Sequence, residues 1–249
     1  MVSHKKKHYS SLLIYIILYS VFVMTVRMEV ENQSDIIVGT TFFFTLFIGY
    51  FITRQNDRYN AIVDQLTTTD GYLSYLYRVT GSVPRIQKEL KKIMKEHYGL
   101  VVKFDDPSYH VKHASMTISR ITASLSSITK KEIARPVAGA AWGFCFEVVS
   151  GLQSTGKKIL NLFAEKLVVF QWSVVYILGL ILVISFNFVH SGLWYIDLLK
   201  IAFGTSVYIS ILLLKQLDDL TLFGGTAGMS SVRDVLRIID EKDAKELKG

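Results

Sequence analysis

IIVGTTFFFTLFIGYFIT, residues 36–53, runs directly into RQNDRYNAIV, residues 54–63. The first stretch carries no charge and is long enough, at 1.5 Å per helical residue, to cross a hydrocarbon core about 30 Å thick. The second is polar, yet holds no proline or glycine that would stop a helix. Beyond it, Tyr59, Ile62, Val63, Leu66, Leu73, Leu76 and Tyr77 recur at helical spacing. The reading is one helix that leaves the membrane and continues through water-exposed sequence to near Gly81. A chain built around such a helix is an integral membrane protein with a helical domain outside the bilayer.

The rest of the sequence agrees. The 249 residues are 50% hydrophobic with a mean hydropathy of +0.33, while 20% are charged. Apolar residues must then be gathered into blocks. Three further blocks qualify as spans: residues 9–26, 167–188 and about 194–214. The block at 9–26 follows a basic HKKKH, but its apolar run exceeds a signal core and no small-x-small site follows, so it is read as a retained span. The expected fold is an all-α membrane protein with four spans in a 2+2 arrangement. Its divisions are a first transmembrane pair (1–53), a helical cytosolic domain (54–166), a second transmembrane pair (167–214) and a cytosolic tail (215–249) with a short amphipathic helix.

Orientation follows from lysine and arginine placement. Lys5, Lys6 and Lys7 precede the first span, Arg54 and Arg58 follow the second, and Lys215 follows the fourth. The loop at 27–35 is acidic through Glu29, Glu31 and Asp35, and the turn at 190–193 has no lysine or arginine. Both termini and the central domain are therefore expected in the cytosol of a multi-pass cell-membrane protein. The net charge of +7 fits that topology and the anionic headgroups of the lipid bilayer, so nucleic acid is not an expected partner. In the fourth span Asp197 and Lys200 share a helical face near the outer end. A structural pair that snorkels to the interface is expected there, with a place in a permeation path as the alternative.

Within the central domain Ser82-Val83-Pro84 opens a new helix, with Ile86, Leu90, Ile93, Met94 and Tyr98 on one face. A further helix is read over 108–128. Another spans 131–163, broken near Ser154-Thr155-Gly156 and carrying small residues at Gly139 and Gly143 suited to close helix approach. No segment alternates as a strand does. The single cysteine, Cys145, excludes an internal disulfide and is expected to pack as a small apolar side chain.

The sequence contains no phosphate loop, dinucleotide fingerprint, HExxH or nucleophile elbow, and an enzyme is not expected. No cofactor is implied. His110 and His113, with Asp105 and Asp106 nearby, read as a solvated face more than a metal site. Glu147 reads as the polar edge of an amphipathic helix, with a buried functional acid as the other possibility. Gly224, Gly225 and Gly228 read as a loop.

The second span resembles that of the bestrophin ion channels, and more closely that of their prokaryotic-type relatives. The residues that carry the likeness are Thr53-Arg54 and Arg58-Tyr59-Asn60 at the end of the span. A second element follows the fourth span: Leu217-Asp218-Asp219-Leu220-Thr221-Leu222-Phe223-Gly224-Gly225, then the amphipathic stretch 232–240. The proline usual in that element is absent, and the dense acidic run that forms a calcium clasp in animal bestrophins is reduced to Asp218 and Asp219. No metal is therefore expected, and those two are the ligand candidates that the resemblance leaves. The resemblance implies a fivefold ring, a homopentamer, passing small ions, monovalent anions by expectation, with the second span lining a central pore. It implies a neck at Val38, Phe42 and Leu46, with Phe43, Phe47 and Tyr50 as the rival helical phase, and a cytosolic pore mouth at Arg54, Arg58 and Tyr59. The other reading is an oligomeric scaffold or signalling protein that does not conduct.

Overall fold

The computed structural model describes residues 14–21, 23, 33–104, 107–127, 136–188, 193–222 and 228–246. Residues 14–21 and 23 are helical; the remainder of the expected first span lies outside the described residues, as do Asp105, Asp106, Gly224 and Gly225. Seven α-helices follow: α1 (Gln33–Val79), α2 (Pro84–Phe104), α3 (Pro107–Ser126), α4 (Pro136–Ala164), α5 (Val169–Asn187), α6 (Trp194–Asp218) and α7 (Met229–Glu246). No strand occurs among the described residues. Among them, α1, α5 and α6 are long and apolar enough to cross a membrane, which makes this a membrane protein.

The chain divides into two compact units, residues 1–57 with 166–224 and residues 58–165 with 225–249. The first unit holds the apolar part of α1 with α5 and α6. Its core is Phe44, Ile48 and Phe51 of α1 against Val175 and Leu182 of α5 and Val207 and Leu214 of α6. Close approach depends on Gly204, where a Cβ would overlap the Tyr19 ring. Tyr15 donates to the Gly204 carbonyl at 3.2 Å and stacks on Tyr208. In this unit the spans are joined less by apolarity, which lipid supplies equally well, than by such tight contacts and buried hydrogen bonds.

The second unit is an amphipathic helical domain. As the periodicity predicts, α1 continues unbroken to Val79 and ends in a 3-10 turn, Thr80–Ser82. Thr80 Oγ1 donates to the Leu76 carbonyl at 2.7 Å, and Pro84 begins α2 where a missing N–H costs nothing. The core gathers Leu73, Leu76 and Tyr77 of α1, Ile86, Leu90, Met94 and Tyr98 of α2, Ile121 and Leu125 of α3, and Cys145, Val149 and Leu152 of α4. Cys145 is buried, as expected of a small apolar side chain.

One expectation is corrected here. α4 is not broken at Ser154-Thr155-Gly156. Thr155 is buried and returns its hydroxyl to the Gly151 carbonyl at 2.9 Å, so the weak helix formers ride on a packed stripe that runs on to Ile159. Helix α7 inserts Val232, Val235 and Ile239 into the domain core, and Lys95 pairs with Asp240 at 2.7 Å at its rim.

Gly228 opens α7 with φ +80, a conformation that costs other residues dearly, and a Cβ there would press on Leu66. Gly228→Ala is expected to destabilise the domain by about 1–2 kcal/mol, read as a lowered midpoint in thermal unfolding of the solubilised protein.

Candidate functional site

The candidate pore residues stand on one face of α1. Val38, Phe42 and Leu46 are 69%, 61% and 51% exposed within the chain. At 100° per residue they span an arc of about 80°, opposite the core-facing Phe44, Ile48 and Phe51. The rival phase does not behave as one stripe. Phe43 and Tyr50 are exposed, but Phe47 packs onto the core and stacks on Phe51 at 6.2 Å. Below the exposed stripe the same helix presents Thr53, Asn56 and Asp57 outward, and further along Asn60 and Asp64.

The residues expected at the mouth separate. Arg54 and Tyr59 are half-buried. Arg58 is buried: its Nε donates to the Leu162 carbonyl at 2.6 Å and its Nη2 reaches the Phe163 carbonyl at 3.5 Å. It therefore closes the C-terminus of α4, where the last carbonyls have no partner within the helix and the dipole favours a cation. The signal was present in the sequence. Arg58 follows Phe44 and Phe51 at intervals of seven, which puts it on the buried face.

The two carboxylates at the end of α6 are tied to the start of α5. Asp218 Oδ1 accepts the Leu167 N–H at 2.9 Å, and its Oδ2 accepts the Trp172 indole N–H at 3.4 Å. Gln171 turns back to accept the Val168 N–H at 3.1 Å, and Lys166 lies 3.7 Å from Asp219. The buried Asp218 thus ties the segment just before α5, and the Trp172 side chain within that helix, to the end of α6. Among the described residues no group of three or more His, Cys, Asp or Glu is disposed to hold a metal.

Asp197 and Lys200 form the expected i,i+3 pair at 3.2 Å, but the burial is the reverse of snorkelling. The lysine side chain is 4% accessible and the aspartate 40%, so the cation turns into the helix packing. Glu147 is exposed, in accord with the edge of an amphipathic helix. The side chains of His110 and His113 and the surroundings of Gly139 lie outside what is described; Gly143 is exposed with open space around it. Residues that the sequence reading missed are Asn187 and Asp70. Asn187 donates to Tyr19 at 3.3 Å, and Asp70 is a buried acid in the polar half of α1.

No family model and no curated protein matches this sequence. Its structure is similar to the crystal structure of a point mutant of a bacterial Bestrophin homolog from Klebsiella pneumoniae, with a TM-score of 0.58 and 15% identity over 92% of this chain and 97% of that chain. At that identity the likeness is one of fold, and it is nearly end to end. The chain has a bestrophin-like fold, in agreement with the resemblance carried by residues 53–60 and 217–225.

Proposed function

We infer that this protein is an oligomeric ion channel, a homopentamer by resemblance, whose pore is lined by the exposed face of α1, with Val38, Phe42 and Leu46 as its neck. The observation that carries the reading is the placement of that stripe. Large apolar side chains at three successive turns turn away from the described core of their own chain, on the helix that resemblance assigns to the pore. A cyclic oligomer turns each of them into a ring, and an apolar ring gates ions by dewetting.

The charge around the stripe bears on selectivity. An anion preference rests on Arg54 and Arg58 at the mouth. Arg58 is engaged at the C-terminus of α4, while Asp57 is exposed on the side of α1 that continues the stripe. That balance favours a mouth that admits monovalent cations over the anion preference, because a ring of carboxylates raises local cation concentration. The test is reconstitution into planar bilayers under an asymmetric NaCl gradient, with native mass spectrometry on the same preparation. The expected outcome is an oligomer that conducts, a reversal potential on the cation side, and a shift towards zero in Asp57→Asn. A conducting oligomer with a reversal potential on the anion side restores the anion preference. An oligomer that passes no current under any condition supports the scaffold reading instead.

A further inference from the structure

Asp70 is a carboxylic acid in the wrong solvent. It lies on α1 in the helical domain, 2% exposed, between α2 and α7. Its Oδ1 accepts the hydroxyl of the fully buried Tyr98 of α2 at 2.5 Å, and Ser231 at the start of α7 is a further donor to the carboxyl. Its Oδ2 is buried with no hydrogen-bond partner. One turn earlier on α1, Leu66 receives Gly228, the left-handed residue that begins α7. Leu66 and Asp70 therefore form a single seam, four residues apart on α1, that receives Gly228 and Ser231, three residues apart at the head of the C-terminal helix.

We propose that Asp70 is a proton-binding site that controls the seating of α7: the neutral acid is accommodated beneath the helix, and the carboxylate favours its lifting and the hydration of the seam.

An ionised carboxyl with one oxygen bare in an apolar interior carries a desolvation penalty that a neutral acid does not. Burial accordingly raises the acid from 3.8 to about 6, against the opposing pull of the Ser231 and Tyr98 hydroxyls. With α7 lifted, the carboxyl is hydrated and returns towards its ordinary value. The seated state then binds the proton more tightly than the lifted state. Seating is firmest below about pH 4 and weakens as pH rises to about 6, above which the full penalty persists.

Most other charged groups on the packed elements are exposed, and Lys91 of α2 is half-buried. Asp64 and Arg78 of α1, Arg233 and Asp234 of α7, and Glu147, Lys157 and Lys158 of α4 are all exposed. On α2, Lys95 pairs with Asp240, and Glu96 pairs with Arg120 of α3. His97 is the nearest rival titrating group: its ring meets Tyr98 edge-on at 5.3 Å, while its Nδ1 pairs with Thr117 at 3.0 Å. A substitution at Asp70 separates the two, because a response from His97 survives it.

The experiment is hydrogen–deuterium exchange on the full-length solubilised protein at pH 5, 6 and 7, corrected for the intrinsic rate and read on the amides of residues 232–239. Protection is expected to be about tenfold greater at pH 5 than at pH 7. Asp70→Asn, the neutral isostere, should hold the low-pH level throughout. Tyr98→Phe removes a donor that favours the carboxylate, so its step should move to higher pH, a shift that a merely structural tyrosine would not produce. A flat profile in the unaltered protein, a step that persists in Asp70→Asn, or an unmoved midpoint in Tyr98→Phe overturns the proposal.

Discussion

Phe42→Ala with Leu46→Ala is expected to raise single-channel conductance severalfold, while Phe43→Ala with Phe47→Ala leaves conductance little changed and weakens the fold. The two pairs have the same helical spacing and differ chiefly in phase, with a leucine in one where the other has a phenylalanine. Phe42 and Leu46 are exposed among the described residues, Phe42 meeting the Phe43 ring edge-on at 5.7 Å, and trimming them removes little core packing. In a ring of copies the same trimming widens the narrowest part of the path and lowers the cost of wetting it. Phe47 packs on the core of Phe44, Ile48 and Phe51, and its loss leaves a void whose lining loses dispersion contacts, about 2 kcal/mol for a half-buried ring. Bilayer recordings combined with melting of the solubilised protein read both effects. If both pairs leave conductance unchanged, the stripe faces lipid and the neck lies elsewhere.

The second large effect is expected at Arg58. Arg58→Met keeps the length and apolar stem of the side chain but removes the donors to the Leu162 and Phe163 carbonyls. Hydrogen bonds from a charged donor contribute about 1.5–3 kcal/mol each, and the stranded carbonyls at the end of α4 add a desolvation cost. The bond at 3.5 Å is the weaker of the two, so a loss of about 3 kcal/mol is expected, or roughly 6–12 °C in a chain of this size. Arg54→Met, four residues away and half-buried, is the matched control and should stay within about 0.5 kcal/mol. Thermal unfolding followed by tryptophan fluorescence distinguishes them. Equal small effects in both would mean that α4 ends without help from α1.

The membrane class, the apolar blocks at residues 36–53, 167–188 and about 194–214, and the continuation of α1 past Arg54 were all legible in the sequence. Each rests on a local property: an uncharged run measured against a bilayer of fixed thickness, or apolar residues at 3.6-residue intervals. The start of α2 at Pro84 was legible for the same reason, since a proline's missing N–H is a constraint on its own turn. The residues at 53–60 and 217–225 also carried enough pattern to indicate the fold. What periodicity does not specify is absolute phase, because a helix with apolar residues all round gives no preferred direction. Only the packing of Phe44, Ile48 and Phe51 against α5 and α6 turns Val38, Phe42 and Leu46 outward and leaves Phe47 on the flank. Other non-local contacts placed Arg58 at the end of a helix more than a hundred positions away, carried α4 through Ser154-Thr155-Gly156, and drew α7 into the core. Asp70 was invisible for the same physical reason. In the sequence it is one acid among threonines, and its burial exists only where α1, α2 and α7 meet, since solvent exclusion belongs to the packed assembly and not to the residue.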